Sequence, residues 1–264
     1  MKRHFIAFGL LVAAAFAFTN CAQKEAYEPV QEETSTFEII AKLPADTKTY
    51  NDGISTKWEK NDSLKVTYTY LFGKGEFEAP FTTSGDGHFK SNVGSLLGIL
   101  QGAFAWSFQL TAYYPFKSYS NGQVAIPSST VQESYGSMAH LAGKNCPLSG
   151  SVTINDIGQT VETPEVILNH LTSVIKVEVV NATASAIEVS EVDFLVDGEV
   201  TATTMVENAG SLAAGKTAEV YVVVKPGTYS NLSFTVNDTY VKNITAEAAT
   251  FTAGMIKPVK FEIK

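Results

Sequence analysis

The stretch Ser63-Leu64-Lys65-Val66-Thr67-Tyr68-Thr69-Tyr70-Leu71-Phe72 sets the fold class. It is built of β-branched and aromatic residues and alternates apolar with polar, the period of two that a half-buried strand requires. The same reading extends outward. Residues 36–43 (TFEIIAKL) put Phe37, Ile39, Ala41 and Leu43 on one strand face. Residues 76–82 run to the turn Ser84-Gly85-Asp86-Gly87, residues 109–114 into Pro115, and residues 123–126 into Pro127. Residues 93–100 hold the one helix candidate of this half, because Leu96, Leu97 and Leu100 share a helical face. Gly94 and Gly98 each weaken a helix by about 1 kcal/mol, so a short helix or an irregular loop is expected.

A seam falls near Thr163-Pro164. Beyond it strands are expected at 173–180, 186–196, 198–204, 218–224, 228–236, 240–246 and 258–263, with Asp197-Gly198 and Pro226-Gly227 as turn markers. Seven short strands at this spacing predict a Greek-key sandwich. The expected architecture is all-β: two tandem β-sandwich domains, residues 36–164 and 165–264, with no tandem repeat or low-complexity tract.

Ahead of the strands, residues 21–35 are polar and acidic and predict a flexible tether. Residues 1–20 read as a signal peptide, with Met1-Lys2-Arg3 as a cationic start and an apolar run over residues 5–18. A run of 14 residues falls short of the roughly 20 that span a bilayer. Cys21 closes the run where a small-residue cleavage site is usual, and residues 18–21 (FTNC) resemble a bacterial lipobox with Asn20 in place of the common Gly or Ala. A mature chain beginning at a lipidated Cys21 is expected, anchored by two or three acyl chains where one gives only marginal binding. The alternative is an ordinary secreted protein.

The formal charge of the 264 residues is -8, and loss of Lys2 and Arg3 with the signal makes it -10. An acidic chain without a basic cluster is a poor ligand for phosphate backbones, which sets nucleic acid aside. Once Cys21 is lipidated, Cys146 has no intramolecular partner, so the fold must stand without disulfides. A buried or loop thiol is expected there, not a nucleophile.

Chemistry is scarce. His4 leaves with the signal, and His88, His140 and His170 have no second ligand at metal spacing. No nucleophile elbow, phosphate-cradling loop or dinucleotide fingerprint occurs. Neither a metal nor a cofactor is expected, and no enzyme. Glu76/Glu78 and Glu188/Glu191 are carboxylate pairs of the kind glycosidases use, but Glu76 and Glu78 on one strand share a solvated face. Trp58, Trp106, Tyr113, Tyr114, Phe116 and Tyr119 form either an aromatic platform for sugars, centred on Trp106, Tyr113 and Tyr114, or core plugs.

Several segments together resemble the fimbrillin superfamily, the Bacteroidetes surface lipoproteins that include type V pilins. They are residues 46–50 (DTKTY) with Lys57-Trp58-Glu59-Lys60-Asn61-Asp62-Ser63-Leu64-Lys65-Val66, then residues 110–116 (LTAYYPF), 124–132, 169–177 (NHLTSVIKV), 224–229 and 251–263. Their order and spacing over about 220 residues carry the resemblance. It implies transthyretin-like β-sandwiches, a surface lipoprotein of the outer membrane, and a fimbrial subunit or adhesin.

Such pilins assemble by strand exchange: proteolysis removes an N-terminal strand, and a neighbour's strand fills the groove by β-augmentation. The removable strand here is residues 37–43, and the donor is residues 259–263, where Val259, Phe261 and Ile263 share a face; alternatively each strand closes its own domain. Family cleavage follows Arg, yet Arg3 is the only arginine, which leaves Lys42 and Lys48 as the candidate processing positions. Asp62-Ser63-Leu64 resembles an O-glycosylation sequon of the phylum, with Ser63 as acceptor. Expected partners are the membrane, other pilin subunits, and host or microbial surface ligands. The second reading is a non-polymerising lipoprotein that binds carbohydrate.

Overall fold

Alternation of apolar and polar residues recurs along nearly every element of the computed structural model, which describes residues 36–43, 57–70, 73–93, 107–155, 163–244 and 248–264. These residues belong to one compact unit. The strands of its three larger sheets begin with β1 (Thr36–Lys42), β2 (Ser63–Tyr70), β3 (Gly73–Glu76), β4 (Phe81–Thr83), β5 (His88–Asn92) and β6 (Ser107–Tyr114). Then follow β7 (Ser129–Gln132), β8 (Leu148–Asn155), β9 (Glu165–Ile167), β10 (Asn169–His170), β11 (Ser173–Asn181), β12 (Glu191–Val196) and β13 (Glu199–Val206). The chain closes with β14 (Thr217–Val224), β15 (Leu232–Val236), β16 (Tyr240–Ile244) and β17 (Ile256–Ile263). The only helical elements among the described residues are three-residue 3-10 turns.

The first sheet runs β9-β1-β5-β4-β2-β6-β8-β10, with β3 paired to β2. Its two end strands, β9 and β10, are separated in sequence by Leu168 alone, so the sheet curls until its ends meet. Phe37, Ile39, Leu64, Val66, Phe81, Phe89, Leu110 and Leu168 fill the enclosed core. Gly150 sits on the inward side of β8, where a Cβ would lie 2.1 Å from the Ile167 carbonyl oxygen. Residues 148–155 carry no strand in the sequence reading, because this glycine interrupts an otherwise regular alternation.

The second core lies between two further sheets, β14-β11-β17 and β16-β15-β12-β13-β7. Ile175, Val177 and Val179 of β11 face Val192 and Phe194 of β12 across it, with Phe234, Phe261 and Ile263. The outer side of β14 is also covered, since Tyr221 and Val223 pack with Leu141, Cys146 and Val174. That second cover explains why Val220 to Val224 are all buried.

Strands cross the sequence seam at 164 in both directions. β7, from before it, pairs in parallel with β13. β9 and β10, from after it, belong to the first sheet. Three expected strands are interrupted. Residues 186–196 divide into Ile187–Glu188 and β12, with the Asn237 side chain accepting from the Ser190 and Glu191 amides at 2.9 and 3.1 Å. Residues 228–236 divide at Asn231, whose φ is 52°, and residues 76–82 break between Glu76 and Phe81. The helix or loop expected at 93–100 lies, after Val93, outside the described residues.

Candidate functional site

β1 is the element with an unusual position: an N-terminal strand inserted between two others. Its first part is antiparallel to β5, from Thr36 opposite Asn92 to Ile40 opposite His88. Its last part is parallel to β9, from Ile40 beside Glu165 to Lys42 beside Ile167. The inward residues Phe37, Ile39 and Ala41 are 7%, 0% and 2% exposed. Phe37 stacks on Phe77 and meets Phe81 edge-on, each at 6.1 Å between ring centres. Burying side chains of this kind is worth about 1.5–3 kcal/mol each, so β1 is both a plug and a ladder.

Its C-terminal end is clamped by backbone and by one side chain. The Ile40 amide donates to Pro164, the Ala41 amide to Gly87, and the Leu168 amide to Lys42, each at 2.9 Å. The indole Nε1 of Trp58 donates to the Ala41 carbonyl at 2.8 Å. Trp58 is fixed in turn by edge-on contacts with Phe89 at 4.8 Å and Tyr114 at 5.2 Å. The Tyr114 hydroxyl donates to Asp62 at 3.0 Å, and burial together with that carboxylate pushes its pKa up. Gly87, at φ +82°, leaves room for this meeting; a Cβ there would lie 3.2 Å from both the Ala41 oxygen and the indole. Trp58 and Tyr114 therefore pack, half-buried, against the first core at the end of β1.

The outward face of β1 carries charge. The Glu38 carboxylate lies 2.5 Å from His88 Nδ1 and 3.4 Å from Lys90 Nζ. The His88 hydrogen bond, helped by Lys90, holds Glu38 below the usual carboxylate range. Four residues on, Lys42 pairs with Glu165 of β9 at 2.6 Å.

The other sequence candidates disperse. Lys42 is exposed, but its carbonyl is in the ladder, so a protease must first unpair this end of β1. Lys48, Cys21 and Trp106 lie outside the described residues. Ser63 opens β2 half-buried, with Asp62 beside it already committed to Tyr114. Tyr113 lies on the opposite sheet face from Tyr114 and stacks on Tyr119 at 4.2 Å. Nearby, Lys65 donates to the Phe77 carbonyl at 2.9 Å, pairs with Glu76 at 3.2 Å and lies over the Phe116 ring.

His88 serves Glu38. His140 is buried with Nε2 3.0 Å from the Tyr221 carbonyl, and burial lowers its pKa. Burial also depresses His170, to about 4. Cys146 is buried and its thiol pushed up to about 11, which suppresses the thiolate that reactivity needs. Among the described residues no group of three His, Cys, Asp or Glu is placed to hold a metal ion, and no helix is long and apolar enough to cross a membrane.

What sequence reasoning missed is Trp58 as the clamp on β1; its only sequence signal is a place four residues before Asp62 in the family-like opening. It missed Gln132 as well. This side chain, wholly buried, accepts from the Tyr221 amide at 2.9 Å and donates to the Glu219 carbonyl at 2.8 Å. It thereby acts as a piece of strand on the edge of β14.

No protein-family model matches the chain, and no curated protein sequence does. Solved structures similar to it include a candidate cell adhesion protein from Bacteroides ovatus. That match has 15% identity and a TM-score of 0.48, over 87% of this chain and 92% of that one. A fimbrial protein from the same species matches at 15% identity and a TM-score of 0.39, over 87% of this chain and 50% of that one. A candidate polysaccharide-binding protein from Bacteroides thetaiotaomicron matches at 10% identity and a TM-score of 0.38, over 77% of each chain.

Proposed function

We propose that this chain is a fimbrial subunit or fimbrillin-like adhesin, held at the outer membrane by lipid on Cys21, and that its work is contact and assembly, not catalysis. The observation that carries the reading is the insertion of β1 between β5 and β9, with an apolar face that fills the first core. Removing such a strand opens a slot with unpaired backbone on both sides and vacant pockets for alternate side chains, the surface that β-augmentation uses. The signal-like start and Cys21 supply the route to the surface. Of the two candidate processing positions, Lys42 is tied into the β1 ladder.

The test is to cleave the chain between Leu43 and Lys57 at an engineered protease site, displace residues 36–43 in mild denaturant, and measure assembly by light scattering and electron microscopy. Polymers from cleaved chains alone support the reading. Cleaved chains that stay monomeric at every concentration, and that bind no cell surface or partner pilin, overturn it.

A second reading, carbohydrate binding without polymerisation, is favoured by the stacked Tyr113–Tyr119 pair on the outer face of the first sheet. Stacking of aromatic faces on sugar rings predicts loss of glycan retention in Tyr113→Ala and Tyr119→Ala. Unchanged retention on a glycan array disposes of it.

A further inference from the structure

We propose that the stacked Tyr113–Tyr119 pair is one end of a strip along the outer face of β2, β6 and β8, and that this strip takes a linear, uncharged glycan several sugar rings long. The proposal rests on the carbohydrate reading above and adds to it the extent of the site and the class of glycan.

Strand register lays the strip out. Leu64, Val66, Leu110, Ala112, Leu148 and Ile154 of these strands belong to the first core, so the residues that alternate with them face outward. Lys65, Tyr113 and Ser149 form one row across the three strands. The next row is Thr67, Thr111 and Ser151, and the one after it is Thr69, Gln109 and Thr153. All six side chains of these two rows are exposed or half-buried. Rows on one face lie about 7 Å apart along the strands, so the second row lies about 14 Å beyond Tyr113. That length exceeds a single sugar ring.

Charge selects the class of ligand. The outer face of β1 and β5 carries Glu38, His88 and Lys90. That of β11, β14 and β17 carries Lys176, Glu178, Glu219, Lys260 and Glu262. The two rows beyond Tyr113 carry five hydroxyls and one amide, and no charge. At their border stand Lys74 and Glu76 of β3, opposite Thr69 and Thr67, and Lys65, which Glu76 pairs at 3.2 Å. An anionic glycan therefore finds no cation within the rows and meets a chain of net charge -8. A cationic one finds no carboxylate within them.

The side chains present suit sugar hydroxyls. Hydroxyls and amides both donate and accept, as Thr111 and Ser151 show by sharing a hydrogen bond at 2.8 Å. Tyr113 and Tyr119, with ring centres 4.2 Å apart, each keep a second ring face outside the stack, an apolar surface for the C–H side of a terminal ring. Tyr119 arrives on the hairpin of residues 119–124, so two separate segments build the aromatic end. Each new hydrogen bond replaces bonds that both partners made to water, which leaves one contact worth little. Affinity therefore grows with glycan length until the strip is covered.

The experiment uses the mature chain with Cys21→Ser. Uncharged gluco-, xylo- and manno-oligosaccharides of two to six rings are titrated calorimetrically, with oligogalacturonates of the same lengths as charged counterparts. In an uncharged series Kd should fall roughly tenfold between two rings and five, the worth of two or three added hydrogen bonds, with the galacturonates bound more weakly. Gln109→Ala and Thr153→Val should each weaken the five-ring ligand roughly two- to tenfold, one hydrogen bond's worth, and leave the two-ring ligand nearly unmoved. Tyr113→Ala should weaken both, and Gln109→Lys should shift the preference toward the galacturonates. Equal urea midpoints for the variants show that the fold is intact. A Kd independent of length, or loss in Tyr113→Ala with no effect of Gln109→Ala and Thr153→Val, overturns the strip while the carbohydrate reading stands. Tighter binding of galacturonates by the unsubstituted strip overturns the assignment to uncharged glycans. No binding of any oligosaccharide overturns the carbohydrate reading itself.

Discussion

Gly150 shows how much a single missing side chain decides. The strand–strand closure at the ends of the first sheet brings the Ile167 carbonyl to 2.1 Å from where a Cβ would be. Gly150→Ala must push β9 away, and a loss of about 3 kcal/mol is expected, the upper range for overpacking. Gly122→Ala is the control, since nothing lies within 4 Å of its Cβ position and only its φ of +78° costs, about 1–2 kcal/mol. Urea unfolding of the two variants measures the difference.

Gln132 makes a comparable case among polar residues. Gln132→Ala leaves the Tyr221 amide without its acceptor inside the protein, at a cost of about 1–3 kcal/mol, read as a lower urea midpoint with unchanged m.

The histidines carry the pH dependence. His140 and His170 are depressed by burial, His170 to about 4 from an ordinary 6.5. Between those values the unfolded chain takes up protons that the folded one refuses. Stability therefore rises with pH in this window: it is in full force above about 6.5 and falls as pH drops toward 4. His170→Gln should flatten part of that slope in thermal melts at pH 4–7 while leaving the melt at pH 8 nearly unmoved.

At the scale of the element, β1 is held by two separable devices. Its inward face is core, and Ile39→Ala should cost about 2–5 kcal/mol in global unfolding. Its C-terminal end depends on the Trp58 indole donor. Trp58→Phe keeps most of the ring packing against Phe89 and Tyr114 but deletes the bond to Ala41, worth about 0.5–1.5 kcal/mol. Hydrogen exchange should then quicken at β1 by roughly two- to tenfold, with little change in β11 or β14. A uniform change across all strands would show that Trp58 acts on the whole fold instead.

At the scale of the whole molecule, two cores of different construction share one compact body. The first encloses its residues by curling one sheet end to end, and the second sandwiches them between two sheets. The seam between them is stitched by β7 on one side and by β9 and β10 on the other, so the halves resist separation by a simple cut at residue 164. Anchoring belongs to this scale too. Cys21→Ser should move the protein from the membrane pellet to the soluble fraction on cell fractionation. Equal partition of variant and wild type would point to an ordinary secreted chain.

The sequence by itself determined the all-β class, most strand positions, and which face of β1 and β17 is apolar. These are local properties, set by residue type at a period of two and by turn residues, and they survive without knowing what packs on what. Strand breaks at Asn231 and before β12 were not legible, because they depend on one left-handed residue and on the distant Asn237. β8 was missed because Gly150 looks like an interruption until Ile167 is seen against it.

Only the tertiary structure decided that β1 lies between β5 and β9, that Trp58 clamps it, that Tyr114 packs on Trp58 and Asp62 while Tyr113 stacks on Tyr119, and that Gln132 completes the edge of β14. Most of these join residues well separated in the chain. Which strand edge meets which is decided by loop closure and shared burial, and no short window of sequence contains either.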